Sequence, residues 1–363
     1  MNSNIQQKRV FALKDILNQY KCDAFLSFCP IDNRYLSGFT GSTSAVLITS
    51  DNCYFLSDFR YEEQASREVL GFSVLIVSGD IEKKLFALIN SLKIKRIAIH
   101  SEKINLRLYE ELRRETKAEL VEINKELSQL RIAKDPEEIE IIRQACKITE
   151  TSVFNCISLL KEGITEQEFS ANIDYEFRKH GANGSAFETI VLFGKNSSLP
   201  HGKPTNKQLN IGDIILIDCG CFYKGYCSDL TRTFVYGAVP GTWFVDIYET
   251  VLSAQLSVLS ILGPNKKTNE IDYIARYSIM GKGMGKNFGH GLGHGVGLEI
   301  HEPPRLNTDS SSLLKPGFVI TIEPGIYIPN KGGVRIEDTV LITDNGHERL
   351  TSSSKELMVI PVQ

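Results

Sequence analysis

The chain has 363 residues, room for two domains of about 150 residues each, and its 42% apolar and 23% charged residues exclude a disordered, collagen-like or fibrous chain. A formal net charge of -3 gives no general attraction to nucleic acid or to an anionic membrane. The scattered cysteines form no Cys-x-x-Cys pair, no apolar run nears the roughly 18 residues of a membrane span and no signal peptide is visible, so a cytoplasmic protein with reduced thiols is expected.

In chain order, residues 5–20 carry apolar positions at helical spacing (Ile5, Val10, Leu13, Ile16, Leu17), and Cys22–Phe28 follows as a strand. Ala45–Thr49 and Cys53–Leu56 flank a turn at Ser50-Asp51-Asn52. A helix is expected at Tyr61–Val69, a strand at Phe72–Val77, a helix at Ile81–Leu92, a strand at Ile97–His100, a helix at Leu106–Thr116 and a strand at Leu120–Ile123. These make an α/β domain over residues 1–124, with a second domain over 125–363. Asp135 can cap a long helix to about Leu160, with Pro136 at its first position and Glu138 three residues after the cap.

The second domain contains a weak repeat. Gly212–Gly220 and Gly317–Gly325 both run from glycine through an apolar strand to a carboxylate, Asp218 or Glu323, and each has a second acidic strand behind it, with Asp229 or Glu337. Helical regions with threonine-containing starts precede both, at Thr165 and Thr268. The expectation is two helix-helix-hairpin halves sharing one sheet. Folding at Tyr223-Lys224-Gly225 sets Asp218 nearly opposite Asp229, about 5 Å apart at the backbone. Glu323 and Glu337 flank Pro329–Gly333 in the same way. One facing pair is as readily explained by a raised pKa or a nearby arginine; two such pairs point to bound cations.

The segment Phe288–Glu302 adds His290, His294 and His301 among glycines. Glycine at every second position argues against a helical zinc pair and for an extended backbone passing close to an ion or substrate. Four carboxylates and one imidazole balance two divalent ions with room for a hydroxide, a donor set suited to manganese, iron or cobalt. Two-metal sites activate water and stabilise the oxyanion of a hydrolysed amide. Other motifs are weaker. Gly281–Lys286 lacks the Lys-Ser/Thr pair of a phosphate loop, and no Gly-x-Ser-x-Gly elbow occurs. Cys219 and Cys221 alternate with Asp218 along a strand and should point away from it.

Taken together, the segments LPHG, LIDCG with SDLTRTF, GHGLGHGVGLEIHEPP, ITIEPGIY and GVRIEDTV resemble, in order and spacing, the pita-bread metallopeptidases of the aminopeptidase P and prolidase group. The resemblance spans nearly the whole chain and implies a creatinase/prolidase-like α/β N-terminal domain followed by an α+β pita-bread metallopeptidase domain. It implies Asp218, Asp229, His294, Glu323 and Glu337 as ligands of two divalent ions, manganese first, with cobalt, zinc or iron as alternatives. It further implies His201, His301 and Glu323 as catalytic groups, and His290 and Arg335 as substrate-binding. The expected substrate is a proline-containing peptide and the expected assembly a homodimer. The stretches Leu36–Ser42, Ser57–Tyr61 and Gln64-Ala65 look more like aminopeptidases P, although Phe59 stands where that family often has glycine. A metal-dependent Xaa-Pro aminopeptidase is therefore expected, with Xaa-Pro dipeptidase (prolidase) as the alternative and a non-catalytic peptide-binding protein on the same fold behind both.

Overall fold

The computed structural model describes residues 3–363. Two compact units divide between Arg131 and Ile132, one helix later than the expected boundary at 124/125. That helix, Asn124–Ile132, is tied to the first unit by three contacts. Tyr20 donates to Glu126 at 2.6 Å, Tyr35 to the carbonyl of Leu130 at 2.6 Å, and Arg131 lies 3.5 Å from Asp32.

The first unit is built on a six-stranded sheet. Its strands are β1 (Ala24–Ser27), β2 (Ala45–Thr49), β3 (Cys53–Asp58), β4 (Ser73–Val77), β5 (Arg96–Ile99) and β6 (Glu119–Glu122), in the order β4-β3-β2-β1-β5-β6. The β2–β3 hairpin is antiparallel, whereas β3–β4, β1–β5 and β5–β6 are parallel. Parallel neighbours need crossovers, and the helices Glu62–Glu68, Ile81–Ser91 and Leu106–Thr116 lie within those connections. Two α-helices among the described residues of this unit, Asn124–Ile132 and Pro30–Ser37, have no counterpart among the expected elements. The buried residues of the second are Asp32, Asn33, Tyr35, Leu36 and Ser37, three of the five polar. Asn33 donates to Ser44 at 2.9 Å, Ser37 to the carbonyl of Asn33 at 2.6 Å, and Asp32 Oδ2 meets His100 Nδ1 at 2.8 Å.

In the second unit the helix Pro136–Ile157 starts with the Asp135/Glu138 capping box read from the sequence, and Glu166–Lys179 starts with a second box from Thr165 and Glu168. In the other half, Thr268 opens the helix Thr268–Gly281 but does not cap it; its hydroxyl donates to the carbonyl of Ser310 at 2.8 Å. The helix Thr242–Ile261 is long and apolar enough to span a membrane by composition alone. Phe244, Ile247, Val251, Ala254 and Val258 along it are buried in the core, so it is read as a core helix.

Each half has a core of its own, and Ile214 and Val235 of the first half's strands join the second. The first helix pair packs on Ile190–Phe193, Ile214–Cys219 and Leu230–Tyr236; the second packs on the strands that include Val319–Ile322 and Asp338–Thr343. Hydrogen bonding makes these separate four- and five-stranded sheets, not the single shared sheet expected. They are joined at the centre by Glu337 N–H to the Thr231 carbonyl (3.1 Å), Thr233 to the Arg335 carbonyl (2.9 Å) and Thr339 to the Asp229 carbonyl (2.7 Å). The acidic ends of both hairpins therefore meet where the sheets meet.

Candidate metal centre

Every residue singled out from the sequence, namely Asp218, Asp229, His294, Glu323, Glu337, His201, His290, His301 and Arg335, lines one cavity of about 440 Å³ in the second unit. The hairpin registers deliver the carboxylates differently from expectation. In the first hairpin Asp218 pairs with Thr231 and Leu230 with Cys219, which sets Asp229 across from Gly220. The two aspartates are diagonal, not opposite, because the ladder runs two residues out of step with them. The second hairpin meets the expectation. Ile322 pairs with Asp338 and Gly325 with Arg335, so Glu323 and Glu337 face each other between two ladders of the same register.

His294 sits in the short strand Gly293–Gly295, in extended backbone as its glycine neighbours required. A methyl group on Gly293 would collide with the Thr321 carbonyl, so only glycine lets this strand lie so close to its neighbour. The His294 ring presents Nδ1 to the carbonyl of Gly295 at 3.0 Å, which leaves the Nε2 lone pair facing the carboxylates. Nε2 lies 3.3 Å from Glu323 Oε1 and 3.6 Å from Asp229 Oδ2. Burial lowers the pKa of this imidazole to about 4, so at neutral pH it is a neutral donor of electrons rather than a counter-charge.

The carboxylates have no such relief. Burial, then the charges of Glu337, Asp218 and Glu323, pushes Asp229 well above the carboxylate range. Burial, then Glu323 and Asp218, does the same to Glu337. Glu323 is pushed up to about 8, by burial foremost. Thr231 donates to one Glu337 oxygen at 2.7 Å, but Glu337 Oε1 and Asp218 Oδ1 are buried with no hydrogen-bond partner among the described residues. Ligand atoms of Asp229, His294 and Glu337 all lie within 4.8 Å of one another. Orphaned carboxylate oxygens converging on an imidazole lone pair are what a hard divalent cation would satisfy, and the residues present fit one.

The outer residues divide into two groups. His301 is exposed to the cavity, its ring 4.4 Å from that of His294, and His201 is exposed on the same cavity. Arg335 and His290, expected to bind substrate, line the same cavity and also meet protein partners. Arg335 is 3% exposed, pairs with Asp218, and donates to Tyr327 at 2.6 Å and Thr231 at 3.1 Å. His290 meets the Gly291 carbonyl at 2.8 Å and the Tyr327 hydroxyl at 3.0 Å. Cys219 and Cys221 lie in the core, as the strand alternation required.

One charged cavity residue was not anticipated. Arg305 lines the wall, is exposed, and its side chain makes no ion pair or hydrogen bond among the described residues. Strand alternation carried the signal: along Glu302–Leu306 burial alternates, so counting by twos from exposed His301 reaches Arg305 on the same face.

Residues 140–344 match the metallopeptidase family M24, and residues 9–133 match the creatinase/prolidase N-terminal domain. The Xaa-Pro dipeptidase of Pyrococcus horikoshii is 37% identical over 98% of this chain and 100% of its own. Among solved structures, an Xaa-Pro dipeptidase from Bacillus anthracis superposes with a TM-score of 0.95 at 36% identity, covering 98% of this chain and 99% of that one. An X-Pro aminopeptidase from Thermotoga maritima superposes with a TM-score of 0.89 at 39% identity, covering 94% and 98%. The α/β domain followed by an α+β pita-bread domain, expected from the sequence, is borne out by these matches.

Proposed function

From the premise that the chain belongs to metallopeptidase family M24 and is a metal-dependent peptidase, we propose that it is an Xaa-Pro dipeptidase. The N-terminal motifs favour an aminopeptidase; the names of the full-length relatives support the dipeptidase more strongly. The observation that carries this reading is Arg305. A dipeptide presents a free carboxylate one residue beyond the scissile bond, and Arg305 is a cation on the cavity wall whose side chain makes no ion pair or hydrogen bond among the described residues. An aminopeptidase acting on longer chains has no anion to offer there. The second reading, Xaa-Pro aminopeptidase, is supported by the likeness to the Thermotoga maritima enzyme.

Asp218, Asp229, His294, Glu323 and Glu337 would hold two divalent ions, manganese first, in a cytoplasmic homodimer. When bound, such ions polarise the scissile carbonyl and make water a nucleophile near neutral pH. His301 and His201, exposed on the cavity, would hydrogen-bond the carbonyl oxygen of the first residue and orient it. Glu323 Oε1 would take the proton of the attacking water and return one to the departing proline nitrogen. A prolyl nitrogen carries no N–H, so the wall beside it needs no acceptor. Any other second residue would bury an unpaired N–H, a loss of about 1–3 kcal/mol.

The test pairs Xaa-Pro with Xaa-Pro-Yaa and Xaa-Ala on the manganese-loaded enzyme. Dipeptide turnover should dominate. Arg305→Gln should raise the dipeptide KM about tenfold, equivalent to about 1.4 kcal/mol, with kcat nearly unchanged. Faster cleavage of Xaa-Pro-Yaa, indifferent to Arg305→Gln, would move the assignment to the aminopeptidase.

A further inference from the structure

His301 precedes the strand Glu302–Leu306 and ends a loop from Gly297. The base of that loop is closed by Glu302. The Gly297 N–H donates to the Glu299 carbonyl at 3.0 Å and the Glu299 N–H to Glu302 Oε1 at 3.2 Å. The other oxygen, Glu302 Oε2, accepts from Lys134 Nζ at 2.8 Å. The pair is almost sealed: side-chain exposure is 1% for Lys134 and 2% for Glu302. Gly297 is the lid on it, since a methyl there would come 2.5 Å from Glu302 Oε2 and 2.9 Å from Lys134 Cε. Lys134 itself is fixed by its N–H to the Gly317 carbonyl at 2.8 Å and stands one residue before the Asp135 cap.

A sealed ion pair is a weak source of stability, because desolvating two charges offsets most of their attraction. It does fix direction. Glu302 is the first residue of the strand and His301 stands at the bend just before it, so a carboxylate locked inward at 302 fixes the backbone from which His301 sets its ring 4.4 Å from that of His294. We propose that Lys134, acting through Glu302 beneath Gly297, is a positioning residue that aims His301 into the cavity. The proposal rests on the reading of His301 as a group that contacts the substrate carbonyl.

The experiment follows melting temperature, metal content, kcat and KM on an Xaa-Pro dipeptide in the full-length, manganese-loaded enzyme. Lys134→Met and Glu302→Met singly should lower the melting temperature, each leaving one buried charge unpaired. The double variant Lys134→Met/Glu302→Met should regain most of it. Its kcat should nevertheless stay about tenfold down, with metal content and KM unchanged, the scale of loss typical of groups that orient others in a metal site. Gly297→Ala should give the same kcat loss by pushing on the pair from above. If the double variant does not regain its melting temperature, Lys134→Arg, which keeps the charge but moves the donor, replaces it and should likewise lower kcat at full metal content. Wild-type kcat in the double variant or its replacement, alongside a large loss in His301→Ala, overturns the positioning role alone. No loss in His301→Ala overturns the reading beneath it as well. Loss of metal in step with kcat also overturns the proposal, because the pair would then serve the ligand strands.

Discussion

Glu337 and Asp338 are adjacent, both buried, and treated in opposite ways. At Asp338 burial alone would raise the pKa, but Arg232 and Lys355 outweigh it and hold the carboxylate below its ordinary value. Its oxygens meet Arg232 at 2.8 Å, Lys355 at 2.9 Å and Thr351 at 3.1 Å. At Glu337 one oxygen has Thr231, the other has no hydrogen-bond partner among the described residues, and the pKa rises. Strand alternation sends the two side chains to opposite faces, one toward cations that the chain supplies and one toward charge that must come from outside. Burial does not decide whether a carboxylate is structural or functional. What the chain leaves unneutralised does.

The strongest way to break that contrast is to remove a ligand. Asp218→Ala or Glu337→Ala should abolish metal binding and lower kcat/KM by far more than the 10- to 100-fold typical of residues behind the ligands, as seen by metal analysis and turnover together. Full activity at zero metal would sink the two-ion centre. Next in size is Asp338→Asn. It strands the buried Arg232 guanidinium and should cost about 3–5 kcal/mol of stability, measured by denaturant unfolding, while the metal stoichiometry of the folded fraction stays normal. Metal loss there would erase the distinction between the two neighbours.

A smaller effect sharpens it through pH. In chelated protein, folded Glu323 keeps its proton up to about pH 8, whereas the unfolded chain releases it near 4.5. The native state therefore binds more protons across that window, and stability of the metal-free protein should fall as pH rises through it. Metal displaces the proton, so affinity should rise with pH over the same window, and calorimetry in buffers of different ionisation enthalpy should record proton release. A metal-free protein that grows more stable from pH 5 to 8 would contradict the raised carboxyl.

These contrasts mark what the sequence made legible. The capping boxes at Asp135 and Thr165, the sheet of the first unit and all the acidic and histidine residues of the centre were readable, because each is written in local spacing. The helix Pro30–Ser37 was not, since polar Asp32, Asn33 and Ser37 share its buried face with Tyr35 and Leu36 and break the apolar rhythm. The diagonal of Asp218 and Asp229 depends on a register that no single strand encodes. The commitment of Arg335 to Asp218 and Tyr327 depends on three separate strands meeting.

The glycines around His294 carry one more consequence, for how such an enzyme can change. Gly293 lies against the Thr321 carbonyl and Gly297 against the Lys134–Glu302 pair, so neither has space for even a methyl group. A mutational library should find these positions intolerant, though they offer no side chain to a substrate or a metal. New specificity would then have to be selected at cavity positions whose side chains are free to vary, such as Phe187, Ile190, Ile300 and Asn307. The segment that makes the chemistry possible would be closed to adaptation, and its surroundings would be where the family diversifies.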